Sequence, residues 1–410
     1  VLADRLTSPT TLDIAPDGRV WVAFQDGRIG VIDSDTSGVE LAFQLDCDGS
    51  AEHGLQGLEL DPEFESNHFI YVYYTANSPA PHNRISRLTV DPTTEDSILP
   101  GSEVPLLELP NLADYGNPPW HIGGAVQIGL DGTLYVQIGE SQQSAQSQDL
   151  DSPLGKILHL NVDGTPAANN PYLDASDGIT WRDYVWASGL RNPFASDLNP
   201  VTGQYFVCDV GQGSWEEIND ATLPGQDFGW PTTEGPFNQQ AFPNASQPFY
   251  AYSHANGCAI TGGAFNPGGT TPFPAEYQGQ FFFSEFCSSE IRLIDPANPA
   301  AVRVFATGAD FPMNIEFGPD GAMYYVARGA GAGGAPGIGT GSIQKIAFAS
   351  NLPPRIDSSP SDMLVSADYD ATFVAAATGS APLEYRWQSS TGGDFLDVPG
   401  AASPTLVVAA

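Results

Sequence analysis

The sequence predicts an all-β chain, with a six-bladed β-propeller at residues 1–348, a linker at 349–354 and a partial immunoglobulin-like β-sandwich at 355–410. Glycine (44) and proline (35) are abundant among the 410 residues. No stretch beyond about a dozen residues keeps a helical periodicity, so turns and short strands should dominate. A strand pattern recurs six times, and it ends at Phe348, after which the sequence pattern is different.

The repeat begins with a turn signal followed by an aromatic, β-branched strand, and a second strand of the form Gly-x-Ile-x-x-hydrophobic usually follows. A Pro-Asp-Gly or Gly-x turn supplies the positive φ of a tight hairpin, and one strand pair cannot bury both of its faces alone. Radial stacking of six sheets covers those faces and leaves short edges. A sandwich or a β-helix stays open, since periodic strands do not fix closure. The copies begin at Pro16, Asp61, Leu130, Pro200, Tyr277 and Pro319.

The spacing between the copies is uneven, which places insertions between strands. The long segments 137–155 and 163–186 are candidates for loops that build a site on one face of the ring.

The C-terminal part begins with Asn351-Leu-Pro-Pro, an extended linker signal. The stretches 371–379, 382–388 and 403–408 that follow are similar to the first five strands of an immunoglobulin-type sandwich, with Trp387 as its core tryptophan. The cysteines of strands B and F are absent, and the chain stops where strand F should begin. We expect the natural product to be longer, or another chain to complete this sheet.

Charge restricts the partners. There are 49 acidic and 14 basic residues, a net charge of −35, which repels phosphate backbones and anionic lipid and so argues against nucleic acid and ordinary membrane surfaces. Solubility explains this charge better than a specific cationic partner does. No apolar run reaches the ~18 residues of a membrane span. The start at Val1, without an initiator methionine, indicates a processed export product that is secreted, periplasmic or at the cell surface.

The four cysteines form no Cys-x-x-Cys pair, which disfavours zinc ribbons and thioredoxin-like chemistry. Disulfides in an oxidising compartment fit them better.

Six motifs stand in order along the chain: Gly54-Leu-Gln-Gly-Leu-Glu-Leu-Asp-Pro-Glu-Phe, His121-Ile-Gly-Gly-Ala-Val, Leu154-Gly-Lys-Ile-Leu, Gly189-Leu-Arg-Asn-Pro-Phe, Asp209-Val-Gly-Gln-Gly-Ser-Trp-Glu-Glu-Ile-Asn and Phe228-Gly-Trp-Pro. In this order they resemble the glucose/sorbosone dehydrogenase family. That family of six-bladed propellers includes soluble aldose dehydrogenases that use pyrroloquinoline quinone (PQQ) with calcium, and hedgehog-interacting-protein-like members. The resemblance covers about residues 1–348.

The resemblance implies that His121 is the general base. It would remove the proton of a sugar's anomeric hydroxyl while hydride passes to the quinone, and an imidazole with an ordinary pKa of ~6.5 suits that task. Glu140 stands where the family more usually has Asp, and a carboxylate there would hold the ring tautomer. The alternative is a strand-end histidine that only satisfies a loop carbonyl.

The resemblance also implies that Arg191 contacts the quinone and the developing negative charge. The backbone of the pair Arg191-Asn192 is expected to be extended because Asn192 precedes a proline. Asn192 and Glu52 belong to the implied cofactor-binding set, although Glu52 adds negative charge. The alternative for Arg191 is a structural, salt-bridged arginine.

The implied catalytic calcium site consists of backbone carbonyls at Gly211 and Gln212, and oxygen ligands are what this hard cation requires. Glu217 and the carbonyl near Phe228 resemble parts of a separate structural calcium site. An ordinary solvated pair at Glu216-Glu217 is the alternative.

By the same resemblance, Cys258 and Cys287 look like cysteines that exported members join across blade five. For Cys47 and Cys208, a second bridge and two buried thiols are equally open.

The chain differs from the family in the basic residues that would bind the cofactor. PQQ carries three carboxylates, and burying them requires positive charge. The sugar-oxidising members supply a lysine in blade five and arginines just before the Pro-Asp-Gly of blade six, but the matching stretches 285–290 and 310–316 hold no basic residue. The nearest candidates are Arg292, Arg303 and Arg328, and their strand pattern does not fix whether they face the axis.

Two functions follow. The first is PQQ- and calcium-dependent oxidation of an aldose sugar. The second is a non-catalytic exported propeller that acts as an adhesion, scaffold or ligand-binding module with structural calcium only, with a protein partner or self-assembly through the immunoglobulin-like segment.

Overall fold

The computed structural model describes residues 1–33, 38–268, 273–330, 337–348, 354–379 and 383–409. It forms two compact units, Val1–Ala347 and Phe348–Ala410. The first unit is a ring of six antiparallel four-stranded sheets, which confirms the predicted six-bladed β-propeller.

The N-terminal strand β1 (Ala3–Leu6) closes the ring by pairing with the last strand of the propeller. Ala3 lies opposite Ile343 and Leu6 opposite Gly341. The sixth blade is therefore built from both ends of this unit, and this pairing closes the ring.

Within the other blades the strands follow one another outward from the axis in chain order. Blade one is β2 (Pro9–Ile14), β3 (Val20–Phe24), β4 (Arg28–Ile32) and β5 (Glu40–Gln44); blade two is β6 (Leu55–Leu60), β7 (Phe69–Ala76), β8 (His82–Thr89) and β9 (Val104–Asn111); blade three is β10 (Gly123–Ile128), β11 (Leu134–Ile138), β12 (Lys156–Leu160) and β13 (Val185–Ser188).

The remaining blades repeat this order. Blade four is β14 (Pro193–Leu198), β15 (Tyr205–Asp209), β16 (Trp215–Asp220) and β17 (Tyr250–Ser253); blade five is β18 (Ile260–Phe265), β19 (Phe281–Glu285), β20 (Glu290–Asp295) and β21 (Asn298–Thr307); blade six is β22 (Pro312–Phe317), β23 (Met323–Ala327) and β24 (Gly341–Ile346), completed by β1.

The aromatic repeats of the sequence are the second strands of the blades, and they supply most of the core between the blades. Trp21, Tyr73 and Phe283 are fully buried there. The Gly-x-Ile pattern marks the third strands, including the degenerate copy at β16. The innermost strands touch each other around the whole ring, β2 with β6 and so on to β22 with β2.

One rim of the ring collects the predicted site residues. Because neighbouring strands are antiparallel, the start of each innermost strand and the end of each second strand lie at the same rim, which we call the upper rim. Each of these strand pairs has a register shift near this rim, as at Gly123 and Val126, and such bulges re-aim side chains.

The two long insertions lie at opposite rims, so the expectation that both build one face is wrong for the second. Strand β12 starts beside the end of β11, with Ile138 opposite Lys156, and runs away from the upper rim. The segment before β12 therefore belongs to the upper rim, and the segment between β12 and β13 to the other rim.

In the described ranges the helices are few and short: α1 (Phe64–Asn67) and three 3₁₀ turns, Leu112–Tyr115, Ser144–Gln148 and Trp181–Tyr184. Within the described part of the chain, none of the helices has the length and apolar character that crossing a membrane would require.

The second unit contains three two-stranded antiparallel sheets. They pair β25 (Arg355–Ser358) with β27 (Ala376–Thr378), β26 (Ala371–Val374) with β30 (Thr405–Val408), and β28 (Gln388–Ser389) with β29 (Leu396–Asp397). Trp387 is half-buried, and its Nε1 donates to the carbonyl of Ser403 at 2.8 Å. The linker residues 349–353 lie outside the described residues, and the immunoglobulin-like sandwich stays a prediction.

Candidate active site

His121 and Glu140 meet at the upper rim of blade three. His121 lies just before β10, Glu140 follows β11, and the imidazole Nδ1 is 2.5 Å from Glu140 Oε1. The backbone of His121 has a φ of 63°, an uncommon left-handed conformation for a non-glycine residue. Gly139 permits the close approach, because a Cβ there would lie 2.1 Å from the His121 carbonyl oxygen. The chain thus accepts local strain to place this ring.

Glu140 is held in its ionised form. It is 1% exposed. Burial alone would raise its pKa, but hydrogen bonds from His121, Ser144 and Trp230 together hold the pKa of Glu140 below its ordinary value. A carboxylate in this position favours the proton on Nδ1 of the imidazole.

Arg191 occupies the other side of the imidazole ring. Its Nη2 is 2.7 Å from Nε2 of His121, and its Nη1 donates to the carbonyls of Val210 at 2.8 Å and Gly211 at 2.7 Å. A guanidinium only donates hydrogen bonds, so Nε2 must be the acceptor. The guanidinium also lies over the ring of Trp230, at 5.7 Å from the centroid. Arg191 Nε is buried without a hydrogen-bond partner among the described residues.

Asp209 fixes the backbone that carries Arg191. Its carboxylate accepts the N–H of Arg191 at 2.9 Å and that of Asn192 at 2.6 Å. Burial and the nearby charge of Glu217 raise the pKa of Asp209 to about 7. Asp209 and Trp230 both stand in motifs quoted above, but a motif does not show where its hydrogen bonds point, so the sequence does not place either residue in the site.

Glu52 and Asn192 join three blades. Glu52 Oε2 accepts the backbone N–H of His121 at 2.6 Å and is 3.5 Å from Asn192 Nδ2. Asn192 Oδ1 in turn accepts the N–H of Gly123 at 2.9 Å. Both side chains therefore bind the backbone that supports the imidazole.

The predicted calcium residues fall into two groups. The first group is Gly211 and Gln212. The Gly211 carbonyl already accepts from Arg191, and the exposed Gln212 donates its N–H to Glu234 Oε1 at 2.7 Å. Glu234 also accepts the next two backbone N–H groups, so a carboxylate that the sequence did not single out shapes this loop.

The second group contains Glu217 and Phe228. Glu217 is buried, and its two carboxylate oxygens accept from Gly235 N at 2.5 Å and Asn219 Nδ2 at 3.2 Å. The Phe228 carbonyl accepts from the Thr233 hydroxyl at 3.4 Å. Carbonyl and carboxylate oxygens are suitable calcium ligands, but a cation at Glu217 would compete with existing donors.

A disulfide joins Cys258 and Cys287, with Cα atoms 5.7 Å apart. Buried Glu285 supports it by accepting the N–H of Cys258 at 2.6 Å. These three residues form a cluster of metal-ligand type, but the disulfide uses both sulfurs. Cys47 and Cys208 are free thiols, which answers the question left open by their spacing.

A cavity of about 530 Å³ is lined by Trp120 and Asn192, the chain neighbours of His121 and Arg191, but not by the His121, Glu140 or Arg191 side chains themselves. Of the three arginines considered for the missing cations, Arg328 lies on its wall. Arg292 pairs with Glu290, and Arg303 pairs with the exposed Glu276. The lining residues are Gln25, Ala51, Glu52, Gln56, Trp120, Asn192, Phe194, Val210, Ala259, Thr261, Phe286, Met313 and Arg328.

Known proteins are similar to this chain in sequence and in fold. Quinoprotein glucose dehydrogenase B of Acinetobacter calcoaceticus is 27% identical over 57% of the chain and 52% of its own length, and the aldose sugar dehydrogenase YliI of Escherichia coli is 24% identical over 79% of the chain and 88% of its own length. The match to the mouse hedgehog-interacting protein is 30% identical but covers 37% of the chain and 24% of that protein.

Among solved structures, the PQQ-bound aldose sugar dehydrogenase of Streptomyces coelicolor superposes with a TM-score of 0.69 and 25% identity, covering 84% of this chain and 95% of that one. The chain covers 52%, 34% and 55% of the length of the first three curated relatives that it matches, so it spans about half of them or less. Residues 6–333 match the Glucose / Sorbosone dehydrogenase family profile. The chain therefore belongs to the glucose/sorbosone dehydrogenase family.

Proposed function

We propose that the chain is a PQQ- and calcium-dependent dehydrogenase that oxidises an aldose at its anomeric hydroxyl, with His121 as general base. One observation carries the proposal. The His121 imidazole lies between an ionised carboxylate on Nδ1 and a guanidinium on Nε2, and the chain neighbours Trp120 and Asn192 line a cavity large enough for a small molecule.

The proton would leave the sugar through Nε2. Glu140 keeps the proton on Nδ1, so Nε2 offers its lone pair, and the same carboxylate stabilises the imidazolium that forms. A sugar hydroxyl at Nε2 would replace the contact with Arg191 Nη2 seen here. The guanidinium then lies next to the oxygen that loses its proton, where a fixed positive charge lowers the barrier.

The donors present fit a quinone carboxylate. Arg191 has an unpartnered buried Nε, its chain neighbour Asn192 lies on the cavity wall, and Arg328 places a guanidinium on that wall. When bound, PQQ supplies a two-electron acceptor for the hydride. Carbonyl oxygens at Gly211 and Gln212 are the groups that would hold the catalytic calcium, and Glu217 with the Phe228 carbonyl would hold a structural ion.

The proposal extends to location and partners. The disulfide Cys258–Cys287 supports an oxidising, extracytoplasmic compartment. We also propose, from the sequence, a protein partner or self-assembly through the immunoglobulin-like segment.

The test is reconstitution. The full chain is incubated with PQQ and Ca²⁺, and aldoses are screened by reduction of an artificial electron acceptor. We expect turnover that His121→Asn reduces by at least about a hundredfold. Asn tolerates the left-handed backbone of His121, and His68→Asn is the matched control, because His68 also has a positive φ of 58° and precedes β7 at the rim opposite the site.

A wild-type chain that binds no PQQ at micromolar concentration would contradict the enzyme. That result would favour the non-catalytic binding module, which the similarity to the hedgehog-interacting protein supports.

A further inference from the structure

Arg328 is the one arginine or lysine among the described residues that line the cavity. It follows β23 at the upper rim and is 8% exposed. Its guanidinium donates to Gln25 Oε1 at 2.5 Å, to the Pro9 carbonyl at 3.3 Å and towards the Met313 sulfur at 3.5 Å. These contacts fix the direction of the side chain on the wall of blade six.

None of these three acceptors carries a charge. Among the described residues, no ion pair joins Arg328 to a carboxylate, whereas the similarly buried Arg292 is paired with Glu290. A buried cation with only neutral partners is costly. This is unexpected in a chain with 49 acidic and 14 basic residues, where a carboxylate partner is easily supplied.

The nearest negative charge is already engaged. Glu52 attracts Arg328 across the cavity, but its Oε2 accepts the backbone N–H of His121 at 2.6 Å. Burial lowers the pKa of Arg328 to about 10, so the guanidinium remains charged at neutral pH. The positive charge on the cavity wall is therefore available to a ligand.

The rest of the wall indicates the shape of that ligand. Phe194, Val210, Phe286 and Met313 make it largely apolar, which suits the faces of a flat aromatic ring system. We propose that Arg328 is the anion subsite of the cavity and binds a carboxylate of an aromatic polycarboxylate ligand. Applied to PQQ, this rests on the function proposed above.

The subsite differs from the positions that the family resemblance implied. The stretches 285–290 and 310–316 hold no basic residue, but Met313 in the second stretch is the side chain that Arg328 contacts. A guanidinium from the end of the following strand thus reaches the wall where a cation was expected. A cation–carboxylate contact of this kind gives bidentate recognition.

The experiment is a binding titration of the full, calcium-loaded chain, followed by tryptophan fluorescence, since Trp120 lies on the cavity wall. Two probes are used: PQQ, and the redox-inert pyridine-2,4-dicarboxylate. We expect Arg328→Gln to weaken both by about ten- to a hundredfold, and Arg328→Lys to weaken them less. Arg303→Gln removes the same charge from an exposed arginine and should leave both affinities unchanged.

The outcomes separate this inference from the proposed function. If Arg328→Gln folds and binds both probes as tightly as wild type, the inference is overturned, even if aldose oxidation is observed. Arg328-dependent binding of the dicarboxylate without aldose oxidation supports the subsite and contradicts the proposed function. Should Arg328→Gln fail to give a cooperative thermal transition, Arg328→Lys decides, and wild-type affinity in that variant overturns the bidentate contact. A wild-type chain that binds neither probe also overturns it.

Discussion

The carboxylate of Glu140 lies 2.5 Å from Nδ1 of His121, while the opposite nitrogen of the ring faces a guanidinium that can only donate. The two neighbours therefore select one neutral tautomer, with the proton on Nδ1 and the lone pair on Nε2. That is the form a general base needs before substrate arrives.

Removing the charge of Glu140 tests this arrangement. We expect Glu140→Gln to lower kcat by about a hundredfold or more with a small change in KM, because a neutral amide does not stabilise the imidazolium. Glu140→Asp, which keeps the charge, should recover much of the loss. The measurement is steady-state oxidation with PQQ and calcium. Wild-type kcat in Glu140→Gln would show that the carboxylate only packs.

Trp120 is the residue we expect to contact the sugar. It is 47% exposed, precedes His121 and lines the cavity. An aromatic face of this kind packs against the apolar side of a ring, and loss of such a contact costs roughly 0.5–1.5 kcal/mol. Trp120→Ala should therefore raise KM about two- to tenfold with little effect on kcat, and Trp120→Phe should restore part of the affinity.

The control for Trp120 is Trp181→Ala, since Trp181 belongs to the segment at the opposite rim. Equal increases in KM for both alanine variants would point to a general loss of stability rather than to a sugar contact.

How much of the propeller could be predicted depends on the strand. The second and third strands carry turn chemistry and aromatic or β-branched residues, which the sequence displays directly. The innermost strands are harder, since β18 reads Ile-Thr-Gly-Gly-Ala-Phe and packs its small residues against neighbouring blades. Ring closure by β1 was not predicted, because its partner β24 lies at the far end of the unit.

The site likewise has residues that the sequence places and one that it does not. Glu140 and Arg191 lie at opposite sides of His121 because strand ends of two blades meet at one rim, which follows once the repeat is recognised. Arg328 could not be distinguished from Arg292 and Arg303, because facing the axis depends on the register shift at the end of each strand. The sequence alone does not contain that shift.

The disulfide is expected to contribute to the stability of the propeller. Cys258 and Cys287 are separated by 29 residues, and closing a loop of this length typically stabilises a fold by about 2–4 kcal/mol. The double variant Cys258→Ser/Cys287→Ser should unfold at lower urea concentration, and reduction of the wild type should reproduce the shift. Cys47→Ser, which removes a free thiol, is the control. An unchanged midpoint after full reduction would contradict this prediction.

Four carboxylates surround the central channel at equivalent positions of the innermost strands: Asp13, Glu59, Asp197 and Glu316. Burial raises the pKa of Asp13 to about 6 and that of Asp197 to about 7. Burial and the charges of the other members raise the pKa of Glu59 and Glu316 well above the ordinary value. The folded ring therefore keeps protons that the unfolded chain releases.

The sign of the pH dependence follows. Where the folded state binds more protons than the unfolded state, stability falls as pH rises. This group should lose stability from about pH 4, the unfolded range of carboxylates, up to and beyond about pH 7, the raised value for Asp197, because the pKa values of Glu59 and Glu316 are also raised. Glu316→Gln removes one charge but keeps the oxygen that accepts from Asn314 Nδ2. We expect it to match wild type at pH 4, where the unfolded chain also keeps most of these protons, and to exceed it by roughly 1–2 kcal/mol or more at pH 7.5. Glu63→Gln, at an exposed position, is the control. The measurement is urea unfolding at both pH values. A Glu316→Gln variant that is less stable than wild type at pH 7.5 would mean that the four carboxylates are ionised and bound to a compensating cation.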